Sequence, residues 1–354
     1  MSNRIKIDSY VNGFKIEELS CSDRAIAAAA GSFHTSNYYF FGLLCAMEFN
    51  WTNNDFWGHN DKQRWLNRYN NLLLPFGLEI EPQHISNSTC IIKKINELLE
   101  KSYPVIMLMP YYAIPWDERY FDETQRKATH IFLITENNTE RCTYIIRDDF
   151  LIFQHNEKSI MQLNPNFNHS LLWRHQISKD QLLRIWEHSN QTASEEKMYY
   201  ADTFFSMKNK HDQIPEISNF FDLYNYIKNK EYNINDSRIA RLVTNFNQED
   251  ELKCVLKVKE AKFGVFRRNY VGSIHVVTRV MGMMFEELSI SKQCLEQFYQ
   301  IMNSISEYRS IVLYKMQKKI WREQRMSLDE IESIVSKMNS LDNQLLQFIK
   351  EVPL

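Results

Sequence analysis

The pattern of apolar positions divides the sequence into two parts. In the first part, short apolar runs alternate with segments whose apolar residues recur every three or four positions. Short runs predict strands, and the longer spacing predicts helices. The predicted strands are 78–82, 104–109, 129–135, 142–148, 159–163 and 170–175, and the predicted helices are 21–30, 38–49, 61–73 and 90–101.

The second part of the chain has the pattern of long helices. No proline lies between Pro215 and Pro353, and proline breaks helix interiors. Two stretches that start at Leu295 and Leu328 place their apolar residues on one stripe each. Between them, Ser327 precedes an acidic residue by three positions, which is the spacing of a capping box. We therefore expect two antiparallel helices here, with their stripes forming a core.

Polar segments around 190–212 separate the two parts. The predicted domains are accordingly 1–190, with strands and helices, and 212–354, with helices only. The fold class that follows is α+β, with a mixed N-terminal domain and an all-helical C-terminal domain. The helical domain is also a candidate surface for a homodimer.

Glycine is scarce, and its scarcity excludes several enzyme classes. The chain has eight glycines in 354 residues, and none lies within a few residues of another. Phosphate-binding loops need at least two glycines within about six positions, because the backbone must approach the phosphate closely. A dinucleotide-binding fingerprint, a Walker-type loop and a G-x-S-x-G nucleophile elbow are all absent from the sequence. We therefore expect neither a kinase or NTPase nor an ordinary NAD enzyme, and no cofactor is predicted.

The net charge and the distribution of cysteines limit the binding partners and the cellular compartment that the sequence predicts. With 42 basic and 44 acidic residues, the formal net charge is −2, which gives no electrostatic footprint for nucleic acid. The polar N-terminus and the absence of a long apolar run predict neither a signal peptide nor a membrane span. The six cysteines are scattered, and the histidines lack paired spacing, so neither a disulfide framework nor a metal site is expected. A cytoplasmic protein with reduced thiols is the prediction.

The first candidate for chemistry is Cys21. The run that follows it, RAIAAAAG, is a strong helix former that ends at Gly31. Ser20 and Asp23 can cap the start of this helix, which places Cys21 in its first turn. Unpaired backbone N–H groups and the helix dipole at that position favour a thiolate nucleophile. The alternative is a small side chain that simply packs at a helix start.

A thiolate nucleophile needs a base, and the base needs an orienting group. His130 heads the apolar run 129–135, and Asp148 closes the run 142–148. If the two runs form a hairpin, their ends bring the imidazole and the carboxylate side by side. The alternative interpretation is a purely structural His–Asp pair. Asp149 remains a second candidate, although it points to the other face if the strand is regular.

A cysteine at a helix start, followed by a histidine strand and an aspartate strand, is the order found in papain-like cysteine enzymes. More closely, the chain resembles the family of butirosin biosynthesis protein H and the related bacteriocin-processing peptidases. The resemblance runs from Cys21 to Asp148. It includes FFGL at 40–43, ELLEKSYPVIMLMPYYAIPW at 97–116 and the segment His130-Ile-Phe. The helical second half is also similar, so the resemblance implies a papain-like catalytic domain followed by a helical domain.

The resemblance implies acyl transfer in natural-product biosynthesis. The acyl group would come from a carrier-protein or coenzyme A thioester and pass through an acyl-cysteine to an amine or hydroxyl acceptor. Cys21 would be the nucleophile, His130 the general base and acid, and Asp148 the orienting group. Two positions depart from the relatives. Papain-like peptidases usually have a glutamine about six residues before the cysteine, where this chain has Lys15, and Pro110 replaces a residue that is often acidic.

Further residues could contribute to such a site. Aromatic residues after the run 104–109 could line an acyl or acceptor pocket, or else belong to the core or its rim: Tyr111, Tyr112 and Trp116. His34 follows Cys21 closely enough to approach the site, although a loop histidine is commonly solvated. A basic group could contact phosphopantetheine or an acidic carrier protein, or else form a solvated helix face: Lys262, Arg267 and Arg268.

Two rival functions stay open from the sequence. The first is a cysteine hydrolase, a thioesterase or peptidase, which would release free acid without an acceptor. The second is a catalytically inactive papain-like scaffold that binds a partner through its helical half. Selective reaction of Cys21 with an electrophile would separate the enzymes from the scaffold.

Overall fold

A computed structural model describes residues 2–5, 13–15, 18–52, 62–85, 89–115, 120–148, 173–211, 213–235, 240, 243–244, 271–322 and 324–353. The chain forms two compact units: the first comprises Met1–Lys15, Cys21–Phe41 and Phe56–Pro215, and the second comprises Ile16–Ser20, Gly42–Asp55 and Glu216–Leu354. Some predicted features lie outside the described residues, namely the strand 159–163, Trp116, Asp149, Lys262, Arg267 and Arg268.

The first unit is built on an antiparallel sheet, so the protein is α+β. Its strands are β1 (Ser2–Arg4), β2 (Leu78–His84), β3 (Val105–Pro110), β4 (Thr129–Asn138), β5 (Thr143–Asp148), β6 (Trp173–Ser178) and β7 (Thr203–Asn209). Their order is β2-β7-β3-β4-β5-β6, and β1 pairs with β4 outside this path. All six residues of β3 are buried, which explains why this strand is a continuous apolar run in the middle of the sheet.

Helices accompany the sheet in the first unit. They are α1 (Cys21–Gly31), α2 (Thr35–Trp51, whose residues from Gly42 onward count to the second unit), α3 (Lys62–Leu73), α4 (Thr89–Glu100) and α5 (Lys179–Glu195). The predictions 21–30, 61–73 and 90–101 are confirmed to within one residue at each end. The prediction 38–49 is confirmed as part of a longer helix. In α1 every residue from Arg24 to Gly31 is buried, so its alanines pack against the core.

Three elements of the first unit were missed by the sequence pattern. Strand β1 pairs with β4, strand β7 lies between β2 and β3, and helix α5 begins at a capping box formed by Ser178 and Gln181. The sheet therefore continues past residue 190, and the first compact unit reaches Pro215. The predicted domain 1–190 ends before β7, because β7 lies within the polar region 190–212 where the sequence placed the boundary. The predicted strand 170–175 is shifted, since β6 spans 173–178.

The regular secondary structure described in the second unit is helical. Beyond α2, these are α6 (Phe220–Asn229), α7 (Ser273–Glu287), α8 (Lys292–Trp321) and α9 (Leu328–Glu351). The stripe predicted for α8 is buried except at its first residue, Leu295, which is partly exposed. The buried members are Phe298, Met302, Ile305, Val312 and Met316. Ser327 caps α9, since its hydroxyl accepts the backbone N–H of Glu330 at 3.1 Å. None of the helices in the described part of the chain is long and apolar enough to cross a membrane.

A buried ion pair joins α8 and α9 inside this unit. Two hydrogen bonds, of 3.0 and 2.9 Å, run from Arg309 Nη2 to the two carboxylate oxygens of Asp342. Arg309 also donates through Nη1 to the side-chain Oδ1 of Asn50, and Nδ2 of Asn50 donates to the Ser273 hydroxyl at 3.0 Å. Burial raises the pKa of Asp342, and the charge of Arg309 and its hydrogen bonds to the carboxylate oppose that shift. Such a network fixes two helices against each other at one register.

Candidate active site

Cys21 is the first residue of α1, and its side chain is half-buried. The first backbone N–H groups of a helix lack partners within the helix, so the thiol lies where a negative charge is stabilised. The same turn is tied to α3. Asp23 accepts hydrogen bonds from Arg68 Nη1 at 2.7 Å and from the Tyr69 hydroxyl at 3.0 Å. These bonds hold the helix start in place.

The β4–β5 hairpin brings His130 and Asp148 together. Its register pairs Leu133 with Arg147, so Phe132 lies opposite Asp148, and His130 is on the same face two residues away. His130 Nε2 and Asp148 Oδ1 are 2.7 Å apart, and both side chains are almost fully buried, at 0% and 1% exposure. The geometry matches the pairing that the sequence suggested. A buried carboxylate at this distance orients the imidazole and fixes its tautomer.

A side-chain interaction with Cys21 is one of the influences that raise the pKa of the His130 imidazole. Asp148 engages Nε2, so a proton transfer between the imidazole and a thiol would use Nδ1. This is the reverse of the ring orientation in chymotrypsin-type serine enzymes, where Nε2 faces the nucleophile. The structure thus pairs His130 with Asp148 by a hydrogen bond, and Cys21 contributes to the electrostatics of that pair.

The electrostatics of the site favour a protonated His130. Burial is the largest influence on the pKa of His130 and lowers it. The charge of Asp148, the nearby Tyr111, the hydrogen bond that Asp148 accepts from the imidazole, and the interaction with Cys21 act in the opposite direction. The net result is a pKa well above the ordinary value of 6.5. An imidazolium beside a thiol stabilises the thiolate, which is the nucleophilic form of cysteine.

Tyr111 packs directly on the base. Its ring stacks on the His130 imidazole with centroids 4.9 Å apart and an interplanar angle of 22°. The residue begins the short 3₁₀ turn after β3, and its backbone N–H donates to the carbonyl oxygen of Ala128 at 2.9 Å. The sequence suggested a pocket wall for Tyr111. Its observed contact is with the catalytic candidate itself, so Tyr111 fixes the plane of the imidazole.

Tyr112 belongs to a different cluster. Its ring packs against Phe121 and His188, at centroid distances of 5.4 and 5.3 Å, and the Arg126 guanidinium lies 4.7 Å from its centroid. The hydroxyl donates to Glu123 at 3.1 Å. These contacts fill the surroundings of Tyr112 with protein groups, and none of them is with Cys21 or His130.

The other sequence candidates contribute less to the arrangement. His34 is exposed and bonds through Nδ1 to the Ser36 hydroxyl at 2.5 Å. Lys15, at the position of the missing glutamine, is exposed, and Pro110 is buried as the last residue of β3. In the described ranges, no three His, Cys, Asp or Glu side chains are grouped as a metal site would require.

The stacking of Tyr111 on His130 was the contribution that sequence reasoning did not identify. The pattern places an aromatic pair after a buried strand but does not say which ring turns toward the neighbouring strand. In the β3–β4 pairing Met109 lies opposite His130, and Tyr111 follows Met109 by two residues. Knowledge of this register would have indicated that Tyr111 lies near His130. Comparison with known proteins adds no further assignment, since neither a protein-family model nor a curated protein matches the chain.

Proposed function

We propose that the protein is a cysteine-dependent acyltransferase with a papain-like catalytic unit. The observation that carries this proposal is the arrangement of Cys21, His130 and Asp148, in which a thiol at a helix start meets a buried, oriented and readily protonated histidine. The donor would be a carrier-protein or coenzyme A thioester, and the acceptor a small-molecule amine or hydroxyl of natural-product biosynthesis. These identities rest on the resemblance to the family of butirosin biosynthesis protein H.

The first half-reaction transfers the acyl group to the enzyme. The Cys21 thiolate attacks the thioester carbonyl carbon, and the carbonyl electrons move to oxygen, which becomes an oxyanion. A backbone N–H in the first turn of α1 can donate to this oxygen. When the tetrahedral intermediate collapses, the donor carbon–sulfur bond breaks. The departing thiolate takes the proton from His130, which leaves acyl-Cys21 and a neutral imidazole.

The second half-reaction releases the product. Neutral His130 removes a proton from the acceptor amine or hydroxyl as it attacks the acyl-Cys21 carbonyl. Collapse of the second intermediate breaks the bond between the acyl carbon and Sγ. The product is an amide or an ester, and the site returns to the thiolate–imidazolium pair. Asp148 keeps the imidazole oriented through both proton transfers, and it offsets the imidazolium charge.

Intact-protein mass spectrometry tests the first step. The full chain is incubated with acetyl-coenzyme A or an acyl-pantetheine, and the expected result is a single acyl adduct that peptide mapping locates at Cys21. Cys21→Ser should lose the adduct, whereas the matched variant Cys142→Ser, which changes an exposed free cysteine, should keep it. An adduct that persists in Cys21→Ala would contradict the proposal.

The acceptor requirement separates transfer from hydrolysis. Acylated enzyme is isolated and supplied with hydroxylamine or a panel of amines, and loss of the adduct is followed with time. Transfer predicts that the adduct decays slowly in buffer and quickly with acceptor, and that amide or hydroxamate accumulates. Rapid release of free acid in buffer alone would instead support a thioesterase or peptidase. A chain that never forms the adduct with any thioester would support the scaffold.

A further inference from the structure

An exposed row of residues lies on α8, on the side opposite its buried stripe. Three of them are large apolar side chains with exposed fractions of 53% for Ile311, 62% for Tyr314 and 64% for Trp321. Single exposed apolar residues are common, but three on one face of one helix form a patch. Exposed bases lie between them. We call this set the basic aromatic face and define it as Ile311, Tyr314, Lys315, Lys318, Trp321 and Arg322.

The spacing of this face is that of a helix-packing seam. Ile311, Tyr314, Lys318 and Trp321 follow one another at intervals of three, four and three, which are the a and d positions of a heptad. The bases at 315 and 322 then occupy flanking positions. The face spans about three turns, or about 16 Å of helix. A long, narrow and convex surface of this kind fits another helix laid alongside it.

The charge on this face is not balanced within the described part of the molecule. No acidic residue occurs in the stretch 308–322, and none of the three bases of the face forms an ion pair with a described residue. Other bases of α8 are paired, since Lys292 lies 3.7 Å from Glu296 and Lys319 lies 3.3 Å from Glu330. Any helix that packs on the face must therefore bring negative charge with it.

A second copy of this helix is a poor occupant. If two such faces packed in parallel, the Lys318 side chains would meet at a core position. If they packed antiparallel with their apolar residues overlaid, Lys315 would face Arg322 of the other copy. Both arrangements place like charges together, and like charges at heptad core and flanking positions select against a pairing.

We propose that the basic aromatic face docks an acidic amphipathic helix of a partner protein. Apolar residues of that helix pack on Tyr314 and Trp321, and its flanking Asp or Glu residues pair with Lys315 and Arg322. This inference is independent of the chemistry at Cys21.

Peptide binding to the full chain tests the proposal. The probe is a fluorescein-labelled synthetic peptide of about three heptads with Leu at the a and d positions and Glu at the e and g positions. A matched peptide carries Lys at e and g. Fluorescence anisotropy should show that the acidic peptide binds at least about tenfold more tightly than the basic one, and that added salt weakens its binding.

Charge reversal locates the binding site. The double variant Lys315→Glu/Arg322→Glu should weaken the acidic peptide at least about tenfold and strengthen the basic one. The control Lys337→Glu/Lys350→Glu changes the net charge equally at exposed positions of α9 and should bind as the parent protein does. Equal binding of both peptides, or equal loss in both double variants, would overturn the proposal. So would charge-dependent binding to phosphatidylserine vesicles without binding to the acidic peptide, which would make the face a lipid-binding surface.

Discussion

Among the described residues, the sheet unit and the helical unit each contain a nearly inaccessible pair of opposite charges, and the two pairs differ in the chemistry they can perform. In the sheet unit, Asp148 holds a histidine, whose proton can leave, next to a thiol. In the helical unit, Asp342 accepts two hydrogen bonds from Arg309, whose guanidinium remains charged at every working pH. Asn50 accepts a further hydrogen bond from the same guanidinium. The first pair can therefore move a proton, whereas the second can only fix structure.

Removal of the histidine is expected to have the largest effect on chemistry. His130→Gln keeps a polar side chain of similar size but removes the titrating base beside Cys21. We expect acyl transfer to fall by about 10²- to 10⁴-fold, the range typical of a general acid–base group. The corresponding change in the other unit, Arg309→Gln, should leave the acylation rate of the folded protein unchanged. Steady-state and single-turnover assays on both variants, under conditions where circular dichroism confirms folding, make the comparison.

Replacing Asp342 and Asp148 each by asparagine tests whether the two buried pairs differ in their roles. Asp342→Asn leaves a buried guanidinium without its counter-charge, and we expect a loss of about 3–5 kcal/mol of unfolding free energy in urea. Asp148→Asn retains an acceptor for His130 Nε2 but removes the charge that raises the pKa of His130. We expect its acylation rate to fall about tenfold, equivalent to about one pKa unit of lost interaction. If Asp148→Asn destabilised as much as Asp342→Asn and left acylation intact, the two pairs would be equivalent.

The pH dependence of stability distinguishes the titrating pair from the fixed one. The pKa of His130 is raised in the folded protein, so its contribution is complete below about pH 6.5, the pKa of the unfolded chain. That contribution is lost as the pH rises through the higher folded value. The difference in thermal unfolding midpoint between the parent protein and His130→Gln should therefore shrink from pH 6 toward alkaline pH. A difference that grew over this range would contradict the assigned direction.

The smallest expected effect concerns Tyr111, which acts on the base by stacking. Tyr111→Phe retains the ring over His130, whereas Tyr111→Leu removes the aromatic face. We expect the Leu variant to be about three- to tenfold slower in acylation, in line with the 0.5–1.5 kcal/mol typical of a stacked pair, and the Phe variant to lie closer to the parent. The alkaline limb of the pH–rate profile should move to lower pH in the Leu variant. A change confined to KM would make Tyr111 a substrate contact.

The parts of the site that depend on local sequence could be predicted. A run of alanines after Cys21 fixes a helix start, and two apolar runs joined by a polar turn fix a hairpin with His130 and Asp148 at its ends. The rotation of Tyr111 toward His130 depends on the pairing of β3 with β4, which is a non-local contact. Strand β7 was missed for the same reason, since only its partners β2 and β3 identify it as part of the sheet.

The buried pair of the helical unit did leave a signal in the sequence. Arg309 lies on the α8 stripe, four residues after Ile305, and Asp342 lies on the α9 stripe, four residues after Met338. One basic and one acidic residue at core positions of two helices expected to be antiparallel indicate a buried ion pair. The contribution of Asn50 could not be predicted, because it lies far away in the sequence.

The central claim for the site is that His130 activates Cys21. Competitive alkylation measures this activation as the reactivity of the Cys21 thiol. The chain is treated with limiting iodoacetamide near neutral pH, and the modified peptides are quantified by mass spectrometry. Cys90 and Cys142 are exposed and serve as internal references, whereas Cys21 is less accessible because it is half-buried. We predict that Cys21 reacts at least about tenfold faster than either reference, and that His130→Gln removes this advantage. Reaction of Cys21 no faster than Cys90 and Cys142, or equal reactivity in the variant, would contradict the claim.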